Sequence, residues 1–444
     1  MGAGGLIQRR ADARTGARIR VAVGQLRPFV GMLGMAGVLA FGLVIALRAS
    51  AAPSHVVPSS RVGFPDWLAG PLPGTGPTMH WHEFALLLIG LSACYLVVLG
   101  CADALSPRLV LAVCVTAIAV FTLAPPILSG DIFGYVDWAR MSVPHGIDPY
   151  THGSIAAPHD PVYPYMMWHD NLPSPYGPLF TLFSYVTVPL GVPAAMWFFK
   201  AAAGLAACGA LVFTAAIARR LERPVAPAVA FVGLNPLFLA YAVGGGHNDL
   251  LMLVVALAGV YLFVSGRVAA GAGTLIPAAA VKVSGGFALP FMLLASRERR
   301  RAIRGVLVAL VAVGLVVLIG FHSHPLGFLT TVHQQQDMVA LFSVPSQVGH
   351  WLGFGGVTEG IRALAVVLLV ATVLLMLWLT WRGYDWIAAT GWSTLALLVA
   401  SAWILPWYAV WLLPFSALAR SWALKAGALA LCAFVIGVRL NIWL

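Results

Sequence analysis

The chain has 444 residues, of which 60% are AVILMFWYC and only 9% are charged, with a net charge of +11 and a mean hydropathy of +0.90. Soluble domains are about a quarter charged, so this composition excludes a soluble enzyme and requires much of the apolar surface to face lipid. The positive charge sits in short clusters between apolar runs, not along one polar face, which speaks for topogenic signals and against nucleic-acid binding.

Residues 1–29 form a basic tail carrying Arg9, Arg10, Arg14, Arg18, Arg20 and Arg27, expected in the cytoplasm, and 30–444 reads as one polytopic transmembrane domain. The first apolar run, 30–49, ends near Ala49-Ser50-Ala51 and is longer than a signal-peptide core, so it is expected to be an uncleaved anchor. About 20 apolar residues cross a bilayer. Further spans are predicted at 84–104, 109–126, 196–218, 225–243, 250–265, 303–321, 362–381, 387–402, 407–420 and 425–442. A hairpin of two short spans is expected over 268–296, broken near Lys282-Val283-Ser284-Gly285-Gly286.

Pro178, Pro189 and Pro193 bracket a short apolar run at 177–192, read as re-entrant because counting it as a span would place Arg219, Arg220 and Arg223 outside. About thirteen crossings follow, with the N-terminus inside and 19 of the 26 basic residues on the cytoplasmic side. That topology places all 12 histidines outside. The five cysteines lie in apolar stretches without a Cys-x-x-Cys pair, so neither a zinc site nor a disulfide framework is indicated.

The polar chemistry collects in an external loop at 127–176 and a second one at 322–360. Ser129-Gly130-Asp131 opens a segment through Tyr135, Asp137 and Arg140 that reads as an amphipathic helix on the outer membrane face. Asp131, at the end of a span, is a candidate general base toward a hydroxyl, against the alternative that it only caps the helix. Asp148 and Tyr150 follow in Gly146-Ile147-Asp148-Pro149-Tyr150, then Trp168-His169-Asp170-Asn171 and Pro175-Tyr176-Gly177-Pro178, a mixture suited to saccharide faces but also found in interfacial belts.

Gly244-Gly245-Gly246-His247-Asn248-Asp249 is an external turn where glycines permit close approach and His247, Asn248 and Asp249 can hold sugar hydroxyls or steer a proton; capping explains one of these polar residues but not three. Lys200 and Lys282 lie within or beside apolar segments, where a charge is costly, and with Arg140 they are candidates to hold a phosphate; pairing with an outer Asp is the competing reading. In the second loop, His322 and Gln335 are candidate sugar contacts, and His322 with His324 is weak as a metal pair. Trp403, Trp407 and Tyr408, around Pro406, are read as an interfacial belt.

The ordered set Ser129-Gly130-Asp131, Tyr135, Gly146-Ile147-Asp148-Pro149-Tyr150, Pro175-Tyr176-Gly177-Pro178-Leu179, Gly245-Gly246-His247-Asn248-Asp249 and Val281-Lys282 resembles the actinobacterial polyprenyl-phosphomannose-dependent alpha-1,6-mannosyltransferases of the glycosyltransferase C superfamily. The resemblance implies an all-α, GT-C-type integral protein of the plasma membrane with an extracytoplasmic site. It implies polyprenyl-phosphomannose as donor, a mannan or lipomannan acceptor, transfer with inversion at the donor, and Asp131 as the base. It demands no metal or other cofactor, since basic side chains can neutralise a single phosphate. A secondary transporter or flippase of lipid-linked sugars, or a related enzyme using another polyprenyl-phosphate sugar, are the rival readings; transporters often show repeats and ionisable residues near the midplane, whereas this chain gathers its acids and histidines on one face and shows no visible repeat.

Overall fold

The computed structural model describes residues 3–167, 172–321, 326–331 and 338–440, with side chains from Leu26 onward apart from position 61. Among them every regular element is helical. In chain order these are α1 (Ala3–Ala49), α2 (Asp66–Ala69), α3 (Trp81–Cys101), α4 (Pro107–Leu123), α5 (Asp131–Ser142), α6 (Pro178–Tyr185), α7 (Gly191–Arg220) and α8 (Val225–Gly233). After a π-helical turn at Leu237–Val243 come α9 (Asp249–Val264), α10 (Val268–Val281), α11 (Leu289–Ala295) and α12 (Arg299–Gly320). The last group is α13 (Val344–Trp351), α14 (Glu359–Trp381), α15 (Trp386–Ala400), a 3-10 turn at Pro406–Trp411, α16 (Leu413–Leu418) and α17 (Trp422–Arg439).

Their ends follow from ordinary capping chemistry. Ser343, Thr358, Asp385 and Ser421 each accept a first-turn N–H of the helix they precede. At α3, Glu83 reaches back to the His80 N–H at 2.9 Å. Proline opens α4 and α6, where its missing N–H costs nothing.

Six helical stretches are long and apolar enough to cross a membrane: Leu26–Ala49, Trp81–Ala104, Pro178–Arg220, Arg299–Gly320, Glu359–Trp381 and Trp422–Arg439. A seventh arises if α8 and the π turn, bent by 48°, form one broken span. The thirteen expected crossings therefore reduce to six or seven long spans plus shorter apolar helices, among them α4, α9, α10 and α15. The 268–296 hairpin is present as two short pieces, with Pro277 inside the first. Predicted span 407–420 is instead a 3-10 turn and α16, six residues each. Pro406 and Pro414 interrupt its hydrogen-bond ladder, and neither piece reaches more than about 12 Å.

Segment 177–192 also differs from an isolated re-entrant loop. It forms α6 and a 3-10 turn at Val188–Leu190 that run on into α7, broken by Gly191 at φ +73°. At 43 residues the whole stretch is longer than a bilayer is thick, and α6 packs beside α5 and α10.

The main core joins α1, α3, α4, α7, α8, the π turn, α9 and the Pro406–Leu418 region. A second core gathers around α5, where Phe133, Tyr135, Val136, Phe180 and Phe199 are buried with Leu68 and Val162. α5 is therefore a helix as expected but not a surface one: loop 144–176, α6 and α7 cover it on nearly every side. By contrast α12 and α14 leave Leu307, Val308, Val311, Leu364, Val367 and Leu374 exposed, as lipid-facing helices do.

Candidate active site

Asp131 stands at the first turn of α5, immediately after the strained bend at Leu128 (φ 66°). Gly130 holds the cap position and Ser129 Oγ accepts the Asp131 N–H at 3.1 Å, so the carboxylate is not used for capping. Its Oδ2 accepts the Tyr176 hydroxyl at 3.2 Å and lies 3.6 Å from His247 Nδ1. Burial raises the Asp131 pKa, while the Ser129 contact, the Lys282 charge and the Tyr176 hydrogen bond pull the other way.

His247 follows a turn that no other residue type would make. A Cβ on Gly244 would lie 2.2 Å from the Ala240 carbonyl, and Gly246 has φ +70°. The π-helical register widens the turn just before it, and Lys200 locks the turn from beneath: its Nζ donates to the carbonyls of Gly244 (2.7 Å), Phe121 (2.7 Å) and Val243 (3.3 Å). The imidazole stacks on Trp407 with ring centroids 3.6 Å apart and 17° between planes. Burial and the charges of Lys282 and Lys200 push its pKa well below the usual range, so the ring is neutral and one nitrogen can accept a hydrogen bond.

Asn248 and Asp249 complete the turn. The Asn248 N–H donates to the Tyr135 hydroxyl at 3.2 Å, and neither end of its side-chain amide has a partner although it is buried. Asp249 Oδ1 accepts Lys282 Nζ at 2.8 Å and Trp411 Nε1 at 2.7 Å, while Oδ2 is unpartnered. Lys282 Nζ also lies 4.5 Å from the Tyr408 ring centroid, 5.3 Å from that of Trp411 and 6.0 Å from that of Tyr176. Buried polar groups are nearly always satisfied, so the orphaned atoms of His247, Asn248 and Asp249 mark a place built for a polar ligand. Asp131 and Lys282 are its open members, with side chains 23% and 15% exposed, against 1% for His247 and 0% for Asp249.

The structure thus brings Asp131, Tyr135, Tyr176, His247, Asn248, Asp249 and Lys282 together, Tyr135 as an edge-on brace against Tyr176, Phe180 and Phe199. Tyr150 supports Tyr176 from below, its hydroxyl reaching the Tyr176 carbonyl (3.1 Å) and Thr181 Oγ1 (2.9 Å), and Asp148 Oδ1 accepts the Tyr150 N–H at 2.8 Å. Lys200 is fully buried with its ammonium spent on three carbonyls, so it is not an open donor like Lys282. Arg140, nine residues beyond Asp131 and so about 13 Å along α5, binds both oxygens of Asp160 (2.7 and 3.0 Å), which also pairs with His145 at 2.9 Å. Arg140 is thereby committed to bracing the segment around Asp160. His322 and Gln335 lie outside the described residues, as does 168–171. Among the described residues no group of three or more His, Cys, Asp or Glu side chains is arranged to hold a metal ion.

The sequence reads Trp407 and Tyr408 as an interfacial belt, and nothing in it singles out Trp411. All three turn inward from the Pro406–Trp411 turn instead of forming a belt, because the π turn and α9 pack against that segment and leave its aromatic faces nowhere else to go. Behind Trp411 lies a small, mostly apolar crevice of about 20 Å³ between Met252, Phe287, Ala288 and Leu397.

Residues 30–298 match the family described as alpha-(1->6)-mannopyranosyltransferase, N-terminal domain, and 339–440 match the MptB C-terminal domain. The chain is 32% identical to alpha-(1->6)-mannopyranosyltransferase A of Mycobacterium tuberculosis over 68% of its own length and 63% of that protein. It is 26% identical to alpha-(1->6)-mannopyranosyltransferase B of Corynebacterium glutamicum over 70% of its length and 59% of the relative. It therefore spans somewhat less than two thirds of these curated relatives. With Asp131, His247, Asp249 and Lys282 inside the first matched segment and Trp407 and Trp411 inside the second, the chain belongs to the alpha-(1->6)-mannopyranosyltransferase family.

Proposed function

We propose that this protein transfers mannose from polyprenyl-phosphomannose to the 6-hydroxyl of an α-mannoside in a mannan or lipomannan-type acceptor, on the extracytoplasmic face of the plasma membrane and with inversion at the donor. The observation that carries the reading is one partly open carboxylate, Asp131, flanked by a neutral imidazole and facing an ammonium set among aromatic rings.

In the reaction, Asp131 takes the proton of the acceptor hydroxyl as its oxygen attacks C1 of the donor. The C1–O bond to phosphate breaks and its electron pair leaves on the polyprenyl phosphate, whose charge Lys282 offsets. Attack opposite the leaving group converts a β-linked donor to an α product. His247 holds the hydroxyl toward Asp131, and Asn248 and the free oxygen of Asp249 hold sugar hydroxyls. His322 and Gln335 remain proposed acceptor contacts. The side of the membrane is supported by α7, which runs from Lys200 near the site to Arg219 and Arg220 roughly 30 Å away, a basic end of the kind retained in the cytoplasm.

The test is a transfer assay with purified protein, labelled polyprenyl-phosphomannose and a panel of mannosides, with linkage analysis of products. Asp131→Asn should lower turnover by about 10²–10⁴-fold at unchanged expression, the usual range for loss of a positioned base. Turnover retained by Asp131→Asn removes the base assignment. Movement of lipid-linked sugar across liposomes without a new glycosidic bond replaces the transferase by a transporter.

A further inference from the structure

At the other end of α7 from Asp131, a cleft of about 180 Å³ is lined by Glu222, Arg223, Pro227, Ala419, Arg420 and Lys425. It lies where the α7–α8 and α16–α17 connections meet. The N-termini of α8 and α17 both open onto it, adding the positive ends of two helix dipoles to three cationic side chains.

Arg223 is the informative member. One of its nitrogens, Nη2, binds Asp385 at 2.9 Å. Its Nε and Nη1 are buried without a partner. A guanidinium has five donors and loses free energy when they are desolvated and unmatched, so two idle donors in a cationic cleft indicate an anion with several acceptor oxygens. Glu222 is turned to an exposed position at φ +53° and Asp385 is already taken, so the free charge of the cleft is positive.

The surroundings indicate which anion. Trp378, Trp381 and Tyr384, at the end of α14 and just beyond it, and Trp422, at the start of α17, are 52%, 60%, 40% and 80% exposed. Large aromatic side chains exposed together at one end of a bundle mark the headgroup level of a bilayer. The cleft therefore opens at the depth where lipid phosphates lie, on the face opposite the candidate active site, and basic pockets between helix ends at that depth suit anionic headgroups.

We propose that this cleft binds a phosphate-bearing anion, supplied as the headgroup of an anionic phospholipid, through Arg223, Arg420 and Lys425. Its wall includes Ala417 and Ala419 on and just after α16, the element that follows the turn bearing Trp407 and Trp411. A bound headgroup braces that segment from the far side of the membrane.

The experiment compares the unaltered chain, the cleft variant Arg420→Gln/Lys425→Gln and the control Arg219→Gln/Arg382→Gln, which removes the same charge outside the cleft. Each is placed in nanodiscs of phosphatidylcholine with and without phosphatidylglycerol, followed by thermal midpoint and by native mass spectrometry of retained lipid. Arg223 is left intact because its bond to Asp385 serves the fold. Phosphatidylglycerol should raise the midpoint of the unaltered chain and the control, and retention of one tightly held lipid should fall roughly tenfold or more in the cleft variant. Equal behaviour of all three, or no effect of phosphatidylglycerol on the unaltered chain, overturns the site. Inorganic phosphate producing the same variant-sensitive shift in phosphatidylcholine discs overturns the lipid as source and assigns the cleft to a soluble phosphoryl anion.

Discussion

Asp137 lies on α5 between Asp131 and Arg140, fully buried, with both carboxyl oxygens lacking a hydrogen-bond partner. Burial and the nearby Asp160 push its pKa from 3.8 up to about 7, with His145 opposing. Because the folded value lies above the unfolded one, the folded chain holds the extra proton, and stability is lost as pH rises from about 4 to about 7. Each pH decade in that window is worth 1.36 kcal/mol, so the two decades between pH 5 and pH 7 remove about 3 kcal/mol. Asp137→Asn keeps the shape of the protonated acid and cannot ionise. Its thermal midpoint, followed by intrinsic fluorescence in detergent, should stay near that of the unaltered chain at pH 5 and exceed it by roughly 3–6 °C at pH 8. Parallel midpoint curves across that range would refute both the neutral state of Asp137 and the reasoning from its unpartnered burial.

Asp131 must be ionised to accept a proton and its pKa is raised, so kcat/KM should fall as pH drops through a value above that of an ordinary aspartate. Tyr176→Phe removes a hydrogen bond that favours the carboxylate and should move this acid limb to higher pH; an unmoved limb in pH–rate profiles rejects the Tyr176–Asp131 contact. Lys282→Ala strands the buried Asp249 and should cost about 3–5 kcal/mol, measurable by denaturation. Lys282→Met/Asp249→Asn should regain most of that stability yet show no transfer, whereas recovered transfer would show that the ammonium is dispensable for donor phosphate. Trp407→Ala frees the His247 ring and should lower kcat about tenfold with little change in donor KM; a loss confined to KM would assign Trp407 to substrate binding instead.

Much of the site is legible in the sequence because polar residues stand out against apolar surroundings: Asp131 after a span, three glycines before His247, and Lys282 within a hairpin. A charge seen in sequence does not show where its donors are spent, however. Lys200 and Arg140 look as available as Lys282, yet one is consumed by three carbonyls and the other by Asp160. Trp407 and Trp411 give the opposite case, since an aromatic residue near a helix end reads identically whether it faces headgroups or a ligand. The span count fails for a related reason: hydropathy reports apolar surroundings, which α4, α9 and the Pro406–Leu418 region find in protein as well as in lipid.

The proposed base, Asp131, comes from residues 30–298, while the Trp407 ring stacked on the imidazole and the Trp411 indole bound to Asp249 come from 339–440. Neither portion owns a complete reaction centre. Exchange of one portion between relatives is therefore also an exchange of one wall of the reaction chamber. A chimera joined within 299–338 must re-form the core that α4, α7, α8 and α9 share with the Pro406–Leu418 region, and should turn over slowly until the Trp407 and Trp411 side is matched to the His247 and Asp249 turn it must seat.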